Sequence, residues 1–457
     1  MVEQDQCVYW TFLGIPDWFL SRGLGWFPFA VIPQSVVDEA PHGLSSVSVV
    51  VFLKFFGTGV HQFNFQTTGV KLRSTNGQLQ NLKATLDTIM QDYEAFVKMF
   101  CTKGASGVVP CLVCENVTKG RDVSGSAVLK DIRTAALADC KCHTKETMWK
   151  AVDDLAVFAA DPDMFKYQFE NHEKARGFYH APGSLLTNKP LRDVLDPADA
   201  IYLDWFHCLL ASGGIATFHG NAFVRKMLEL PGITLEVLDN FVASVQHCRS
   251  HQLPRDILQR VYNSQPDSGW KLQGSDNYLV IVALGAFVTM VLQPAGQLVE
   301  HCQCFLLLVT MLDIYYMGDG ALRFLDLLAA STAQHFTLFV KLYPGAFKPK
   351  LHFLHHIPRS MRKKRRNLNT LSAEKYHKWV RSYAKRAKGR HRERHAIHGL
   401  LLRHMTELSN PQNYMPIWVV KGKSALVLTN LMRTLQLIPV DAEVEVKETG
   451  VCSARDA

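Results

Sequence analysis

Short runs of aromatic and β-branched residues, bounded by Gly, Pro and Asp, mark the first hundred positions of the chain. The runs at 7–13 and 26–37 predict strands. Two further runs, 63–72 and 82–90, predict strands on either side of an Asn-Gly turn signal at 76–77. This part of the chain is therefore expected to contain a sheet.

A longer apolar run at 44–56 is compatible with two structures. Ser45 or Ser46 could cap a helix there, whereas the valines of the run favour a strand. Asp92 begins a helical stretch that continues through Phe100. Strands and helices in this order predict an α/β layer arrangement.

From about residue 125 to about residue 340 the apolar positions follow helical spacing. The most apolar stretch, 278–293, is 16 residues long, shorter than the roughly 20 residues that a membrane-spanning helix needs. Buried helices in a large helical region account for it better than a membrane span, so no membrane partner is expected. A membrane protein remains the minority alternative.

Composition excludes several classes of protein. Hydrophobic residues make up 47% of the 457 positions and charged residues 20%, as in ordinary globular proteins. No basic segment followed by an apolar one opens the sequence, which argues against a secretory signal. The sequence has neither a Walker-type glycine loop nor a GxGxxG motif after a strand, so no nucleotide cofactor is expected.

Positive charge is concentrated in one segment. Residues 341–404 contain nineteen Lys and Arg against two acids, Glu374 and Glu393, and so carry +17, whereas the whole chain carries only +9. The rest of the chain is mildly acidic. Such a segment predicts a polyanionic partner, with DNA the first candidate. Its RKKRR run at 362–366 also favours nuclear localisation.

Cys111 and Cys114 form a CxxC pair, a spacing that lets both sulfurs bind one tetrahedral zinc. The remaining ligands can come from nearby, since Cys140, Cys142 and His143 follow within thirty-two positions. They can equally come from the HxxxH motif at 352–356, whose histidines are one helical turn apart. Without a metal, the cysteines would be structural or redox-active and the histidines would belong to a basic surface.

Two carboxylates are candidates for chemistry. Asp204 precedes His207 by three positions, which places both on one helical face, either as a functional or as a structural pair. Glu374 lies in a strongly basic helical segment. A solvated helix with an internal ion pair explains this, but a carboxylate among cations also suits a metal ion facing a phosphodiester.

Four blocks, KGASGVVPCLVCENV, DWFHCLLASGG, KPKLHFLHHIP and EKYHKWVRSYAKR, together resemble DDE/D cut-and-paste transposases with a ribonuclease H-like core and a zinc-bearing helical insertion. The CACTA, Plavaka and Transib groups, which include the V(D)J recombinase core, have this order of motifs. The resemblance implies an α/β fold in which a large α-helical insertion interrupts the core. The implied divisions are 1–124, 125–340, 341–410 and a C-terminal extension at 411–457.

The resemblance also implies roles for individual residues. Asp92 and Glu374 would bind the catalytic Mg²⁺ or Mn²⁺, with Asp204 as a further candidate. A structural zinc would be bound by Cys111, Cys114, His352 and His356. DNA would contact seven basic residues, Lys363, Lys364, Arg365, Arg366, Lys378, Arg381 and Lys385.

One part of the family pattern has no assigned counterpart. The strand at 7–13 matches the second core strand, so the first strand and its aspartate would lie upstream of Met1. Asp5, Asp17 and Asp38 do not occupy a central-strand position. We therefore expect an N-terminally truncated, transposase-derived protein that binds DNA, could form a homo-oligomer and has an incomplete cleavage site. The alternative is a non-catalytic, zinc-stabilised protein that binds DNA or another protein.

Overall fold

A computed structural model describes 6–10, 27–32, 34–57, 64–73, 77–119, 128–245, 253–265, 267–272 and 274–371, with short pieces at 399, 402, 406, 418–421 and 444–447. The chain divides into two compact units. One comprises Ser35–Thr370; the other combines Met1–Gln34 with Leu371–Ala457.

The smaller unit contains two separate strand pairs. β1 (Gln6–Trp10) pairs antiparallel with β2 (Phe27–Ile32), and β9 (Trp418–Lys421) pairs parallel with β10 (Val444–Lys447). The strand expected at 7–13 is confirmed over its described residues. The strand expected at 26–37 is only partly correct, because helix α1 (Gln34–Glu39) follows β2.

The larger unit begins within α1, and α2 (Leu44–Phe56) follows, which resolves the ambiguous run as a helix. Its N-cap is Gly43, and neither serine caps it; Ser45 instead accepts a hydrogen bond from the backbone of Leu185. The valines tolerate the helix because one face is buried, including Val49 and Phe56. Packing thus outweighs the intrinsic strand preference of the run.

An antiparallel hairpin follows, with β3 (Val70–Arg73) paired to β4 (Leu79–Leu82). Gly77 lies in its connection with φ +82°, a conformation that glycine adopts without strain. The turn signal is therefore correct. The expected strand at 63–72 is confirmed only from Val70 onward, because a turn precedes it. The expected strand at 82–90 is largely wrong, since β4 ends at Leu82 and an irregular stretch leads to β5 (Ile89–Gln91).

β5 pairs in parallel with β8 (Ile201–Leu203). The pattern of apolar positions between about residues 125 and 340 predicted only helices, so β8 was missed. Each strand leads directly into a helix, β5 into α3 (Tyr93–Met99) and β8 into α7 (Trp205–Leu209). The helix expected from Asp92 is confirmed. Among described strands, β6 (Val117–Thr118) and β7 (Lys130–Asp131) form one further parallel pair.

Helices make up most of the larger unit. Besides the helices already described, those outside its central body are α4 (Lys145–Ala160), α5 (Lys166–Arg176), α6 (Pro197–Ala200), α14 (Pro349–Phe353) and α15 (His356–Lys364). The central body comprises α8 (Ile215–Met227), α9 (Leu235–Ser244), α10 (Ile257–Val261), α11 (Gly274–Phe287), α12 (Val299–Tyr316) and α13 (Leu325–Leu342). The described chain is thus mainly helical with two-stranded sheets, which fits the α/β expectation only loosely. Within the described residues these pairings do not build a ribonuclease H-like sheet.

α11 continues as a π-helical turn to Leu292, and together they are long and apolar enough to cross a membrane. Among described residues this is the one such helix, and over half of it is buried against neighbouring helices. A core helix of a soluble protein has the same properties, so the segment is weak evidence for a membrane span.

Candidate functional site

Four buried side chains from two distant segments meet at one point. Cys111 and Cys114 lie in the loop after α3, where the backbone of Cys114 bridges to that of Cys142. His352 lies in α14 and His356 begins α15. The two histidines therefore belong to consecutive short helices, not to one continuous helix as their spacing suggested.

The distances match a tetrahedral zinc site. With Zn–S of about 2.3 Å and Zn–N of about 2.05 Å, S···N separations should be about 3.6 Å and N···N separations about 3.3 Å. The Nε2 atom of His356 lies 3.4 Å from Sγ of Cys111 and 3.3 Å from Sγ of Cys114. Cys114 Sγ is 3.6 Å from Nε2 of His352, and the two Nε2 atoms are 3.2 Å apart. This buried cluster could hold a metal ion such as zinc.

The electrostatics of the cluster favour a thiolate, the form of cysteine that binds metals. Burial alone raises the pKa of Cys111, but the hydrogen bond with Cys114 and the charges of the two histidines outweigh burial. The net pKa of Cys111 therefore lies well below that of an ordinary thiol. The pKa of Cys114 is raised, chiefly by the same hydrogen bond, so the pair tends to share one proton.

The competing local ligands lie close by but outside this four-residue group. Hydrogen bonding with Cys114 lowers the pKa of Cys142 to about 6, and Arg359 donates to the sulfur of Cys142 over 2.9 Å. Cys140 donates to a backbone carbonyl. His143 is turned towards Thr147, with its Nδ1 3.2 Å from that hydroxyl. The structure thus joins the CxxC pair to the distant histidines.

Two of the predicted acids stand at the ends of adjacent parallel strands. The last ladder pair of β5 and β8 is Gln91 with Leu203, so Asp92 and Asp204 are the next residues of each strand. Neighbouring strands lie about 4.8 Å apart, which brings the two backbones side by side at one sheet edge. Each aspartate caps the helix that follows, accepting from a backbone N–H in the first turn.

Asp204 is buried and its carboxylate is fully engaged. One oxygen caps α7, and Oδ2 accepts from Nδ1 of His207 at 2.6 Å and from the hydroxyl of Thr370 at 2.5 Å. Thr370 Oγ1 is also 3.0 Å from the His207 ring. These contacts favour a structural over a functional role for the Asp204–His207 pair. Thr370 was missed because nothing in the sequence connects it to a residue 166 positions earlier.

Helix α14, which carries His352, contacts the helices that follow β5 and β8. The Tyr93 ring, next to Asp92, packs 4.5 Å from Phe353, next to His352. Lys350, in the same short helix α14, donates to the backbone carbonyl of His207 over 3.0 Å. Helix α14 is thus packed against α3 and α7, and its His352 lies beside Cys114.

Four of the predicted DNA-binding residues lie in the described part of the chain. Lys363 forms an ion pair with Asp199, and the mostly buried Lys364 lies 3.1 Å from Asp87. Arg366 is buried, and its Nε is 3.0 Å from Asp319. Arg365 is exposed. The remaining predicted site residues, Glu374, Lys378, Arg381 and Lys385, lie outside the described residues.

No protein-family model and no curated protein matches this chain. The resemblance to transposases therefore depends on the four sequence blocks and on the arrangement of the residues within them.

Proposed function

We propose that this chain is a transposase-derived, DNA-binding protein whose fold is stabilised by zinc. In this proposal the ion is bound by Cys111, Cys114, His352 and His356. It ties the segment after Asp92 to the beginning of the basic segment. The one observation that carries the proposal is this cluster, because it joins two of the four transposase-like blocks into a single site.

The cluster composition supports zinc over harder cations. Two thiolates and two neutral imidazoles balance the charge of Zn²⁺, and closed Cys2His2 sets are typical of structural zinc. Mg²⁺ and Ca²⁺ prefer oxygen ligands, which this cluster lacks. The ion would therefore supply stability and position the adjoining segments, with no part in bond cleavage.

DNA is the proposed partner because of the charge of residues 341–404. The ion pairs at Lys363, Lys364 and Arg366 reduce the number of cations available to phosphates within 362–366. The DNA-binding role consequently falls mainly on the part of the basic segment after Thr370. A nuclear location follows from the same proposal.

A divalent-metal cleavage site is the further element of the proposal. Asp92 and Asp204 at adjacent strand ends would hold Mg²⁺ or Mn²⁺ ions that activate a nucleophile and stabilise the leaving oxygen. Glu374, the third acid that the resemblance implies, lies outside the described residues. Because the first aspartate of the family pattern has no assigned counterpart, we propose that this site is incomplete.

A specific observation favours the alternative, a non-catalytic zinc-stabilised DNA-binding protein. The Asp204 carboxylate is buried and already accepts three hydrogen bonds. A metal ion would have to replace the partners on Oδ2. In this alternative Asp204 and His207 only stabilise the end of β8.

The first experiment measures DNA binding by the full zinc-loaded chain at several salt concentrations. A protein that binds 6–10 phosphates loses roughly 10³–10⁵-fold in affinity between 50 and 200 mM salt. We expect such a dependence. The slope of log K against log salt concentration should become shallower by about 0.9 for each phosphate that a variant no longer binds. The test variant replaces by alanine Lys378, Arg381 and Lys385.

The matched control removes the same charge from exposed basic residues elsewhere. It replaces by alanine Lys98, Lys150 and Arg260. An unchanged slope in the control and a lower one in the test variant support the proposed interface. Equal effects in the two variants would refute the proposed interface, and no binding at low salt would refute DNA as the partner.

The second experiment separates the proposal from its alternative. Supercoiled plasmid is incubated with the chain and Mn²⁺, and nicking is compared between Asp92→Asn and Glu94→Gln. Asparagine still caps α3, so the first variant should remain folded, while Glu94 is an exposed carboxylate two positions away. Nicking lost only in Asp92→Asn supports a metal site that still cleaves. If the wild type binds DNA without nicking it, Mn²⁺ binding that is lost only in Asp92→Asn supports an incomplete metal site, and no Mn²⁺ binding supports the non-catalytic alternative.

A further inference from the structure

A second group of metal-binding side chains lies inside the helical body, on helices α8, α12 and α13. His219, Cys304 and His335 are completely buried, and one potential ligand atom of each lies within 4.8 Å of the others. Nδ1 of His219 is 3.0 Å from Nε2 of His335. No pattern in the sequence pointed to this group, because its members come from three separate helices.

The group is poorly explained as ordinary core packing. Two imidazoles and a thiol are shielded from water, and the rings share one hydrogen bond. Nε2 of His219 and Nδ1 of His335 have no partner within the described chain, and the thiol of Cys304 makes only a long contact of 3.9 Å with a carbonyl. Buried polar groups without good partners are costly. A metal ion between the facing nitrogens, Nδ1 of His219 and Nε2 of His335, would give the Cys304 sulfur a strong bond in place of its long contact.

The surroundings determine which ion fits. The ring of His219 lies 5.2 Å from that of Phe305, 5.1 Å from Phe339 and 5.3 Å from Tyr343, so the site is walled by aromatic groups. The charged groups that reach the two histidines are other histidines and not carboxylates. One thiolate balances a monovalent ion fully but leaves a divalent ion with an uncompensated charge, which is expensive to bury.

We propose that His219, Cys304 and His335 form a second metal site, which binds Cu(I) with three ligands. Thiolate is a soft ligand that selects Cu(I), and imidazole binds copper well. The site would be separate from the Cys2His2 cluster and independent of the DNA-binding proposal.

The test titrates the full zinc-loaded chain with Cu(I) against a chromophoric Cu(I) chelator. Cys304→Ser is compared with Cys302→Ser, a matched control on the same helix that is also buried and donates to the carbonyl of Gln297. We expect the wild type and the Cys302→Ser control each to bind one equivalent of Cu(I) tightly, and Cys304→Ser to lack this tight binding. Zinc content must stay the same in all three proteins, because released zinc would show that copper had entered the other cluster.

X-ray absorption of the wild-type protein with one equivalent of Cu(I) provides a measurement that needs no variant. The proposal requires one sulfur and two nitrogen ligands. A tight equivalent retained by Cys304→Ser, all-sulfur ligation, or zinc release in proportion to added copper would each overturn it.

Discussion

Removing His356 is the most informative single perturbation of this fold. The residue provides a ring nitrogen within 3.4 Å of both cysteine sulfurs, which are 242 and 245 positions away in the sequence. His356→Ala should abolish zinc binding if the metal joins these two segments. It should leave zinc in place if the cysteines bind a local ion with Cys140 and Cys142.

The magnitude of the effect follows from the length of chain that the metal closes. Treated as a cross-link over 242 residues, the ion removes chain entropy worth about 5–6 kcal/mol at 25 °C. A local site closing a loop of roughly 30 residues would contribute about 3.6 kcal/mol on the same scale. Since native proteins are stable by only about 5–15 kcal/mol, either loss is large. The identity of the variant that loses zinc therefore decides the question better than the size of the effect.

The assay combines zinc content with urea unfolding in the presence and absence of a chelator. His355→Ala is the matched control: its ring is also buried and packs 4.8 Å from Phe336, but it is not among the four clustered ligands. We expect zinc and chelator sensitivity in the wild type and in His355→Ala, and neither in His356→Ala. Zinc retained by His356→Ala, or lost equally in both variants, would refute the split site.

Three further predictions concern the packing and charges of the larger unit, each checked by urea unfolding. Gly220→Ala should destabilise the fold, because a Cβ at this position would overlap the Trp270 ring. Overpacking costs about 1–3 kcal/mol, which outweighs the roughly 1 kcal/mol by which alanine favours a helix over glycine. An unchanged midpoint of urea unfolding contradicts this. Asn221→Ala should lower the free energy of unfolding by about 2–4 kcal/mol. The buried Asn221 side chain makes three hydrogen bonds to backbone groups of the loop after α10, and the variant loses all three. A decrease below about 1 kcal/mol, the net value of a single hydrogen bond, contradicts this prediction. Burial alone raises the pKa of Asp199, but the two lysines on α15 that pair with it lower the pKa by more. The net pKa of Asp199 therefore lies below the ordinary value of 3.8. The ion pairs therefore stabilise the fold above pH 3.8, and this contribution is lost as pH falls from 3.8 through the lower pKa of the folded state. The stability deficit of Asp199→Asn should shrink between pH 6.5 and pH 3; a constant deficit contradicts this.

The metal ligands could be proposed from the sequence because each half-site has a local spacing. CxxC and HxxxH both place two ligand atoms near one point, whatever the rest of the fold does. The spacing could not decide whether Cys111 and Cys114 pair with the distant histidines or with Cys140 and Cys142. That choice depends on the packing of α14 against α3 and α7, which forms only in the folded chain.

The strand β8 shows where sequence patterns reach their limit. Three residues are too few to display the alternation of a strand, and all three are buried, as in a helix core. The partner, β5, lies 112 positions earlier. Asp92 could be recognised as a helix cap, but its position beside Asp204 depends on this long-range pairing.

Counting charges in the sequence overestimates the number of cations available to DNA, because the fold already pairs some of them with acidic side chains. Lys363 and Lys364 both contact Asp199, and Arg366 contacts Asp319. The acid that Lys364 reaches is 165 positions away in the sequence, so no local window reveals the pairing. A phosphate would have to displace these acids, which would cost stability, particularly at the buried Lys364 and Arg366. Neutralising Lys364 should consequently lower the free energy of unfolding while changing the salt dependence of DNA binding little. A fall in the salt slope of about 0.9, the value for one phosphate, would show instead that DNA competes successfully for this lysine.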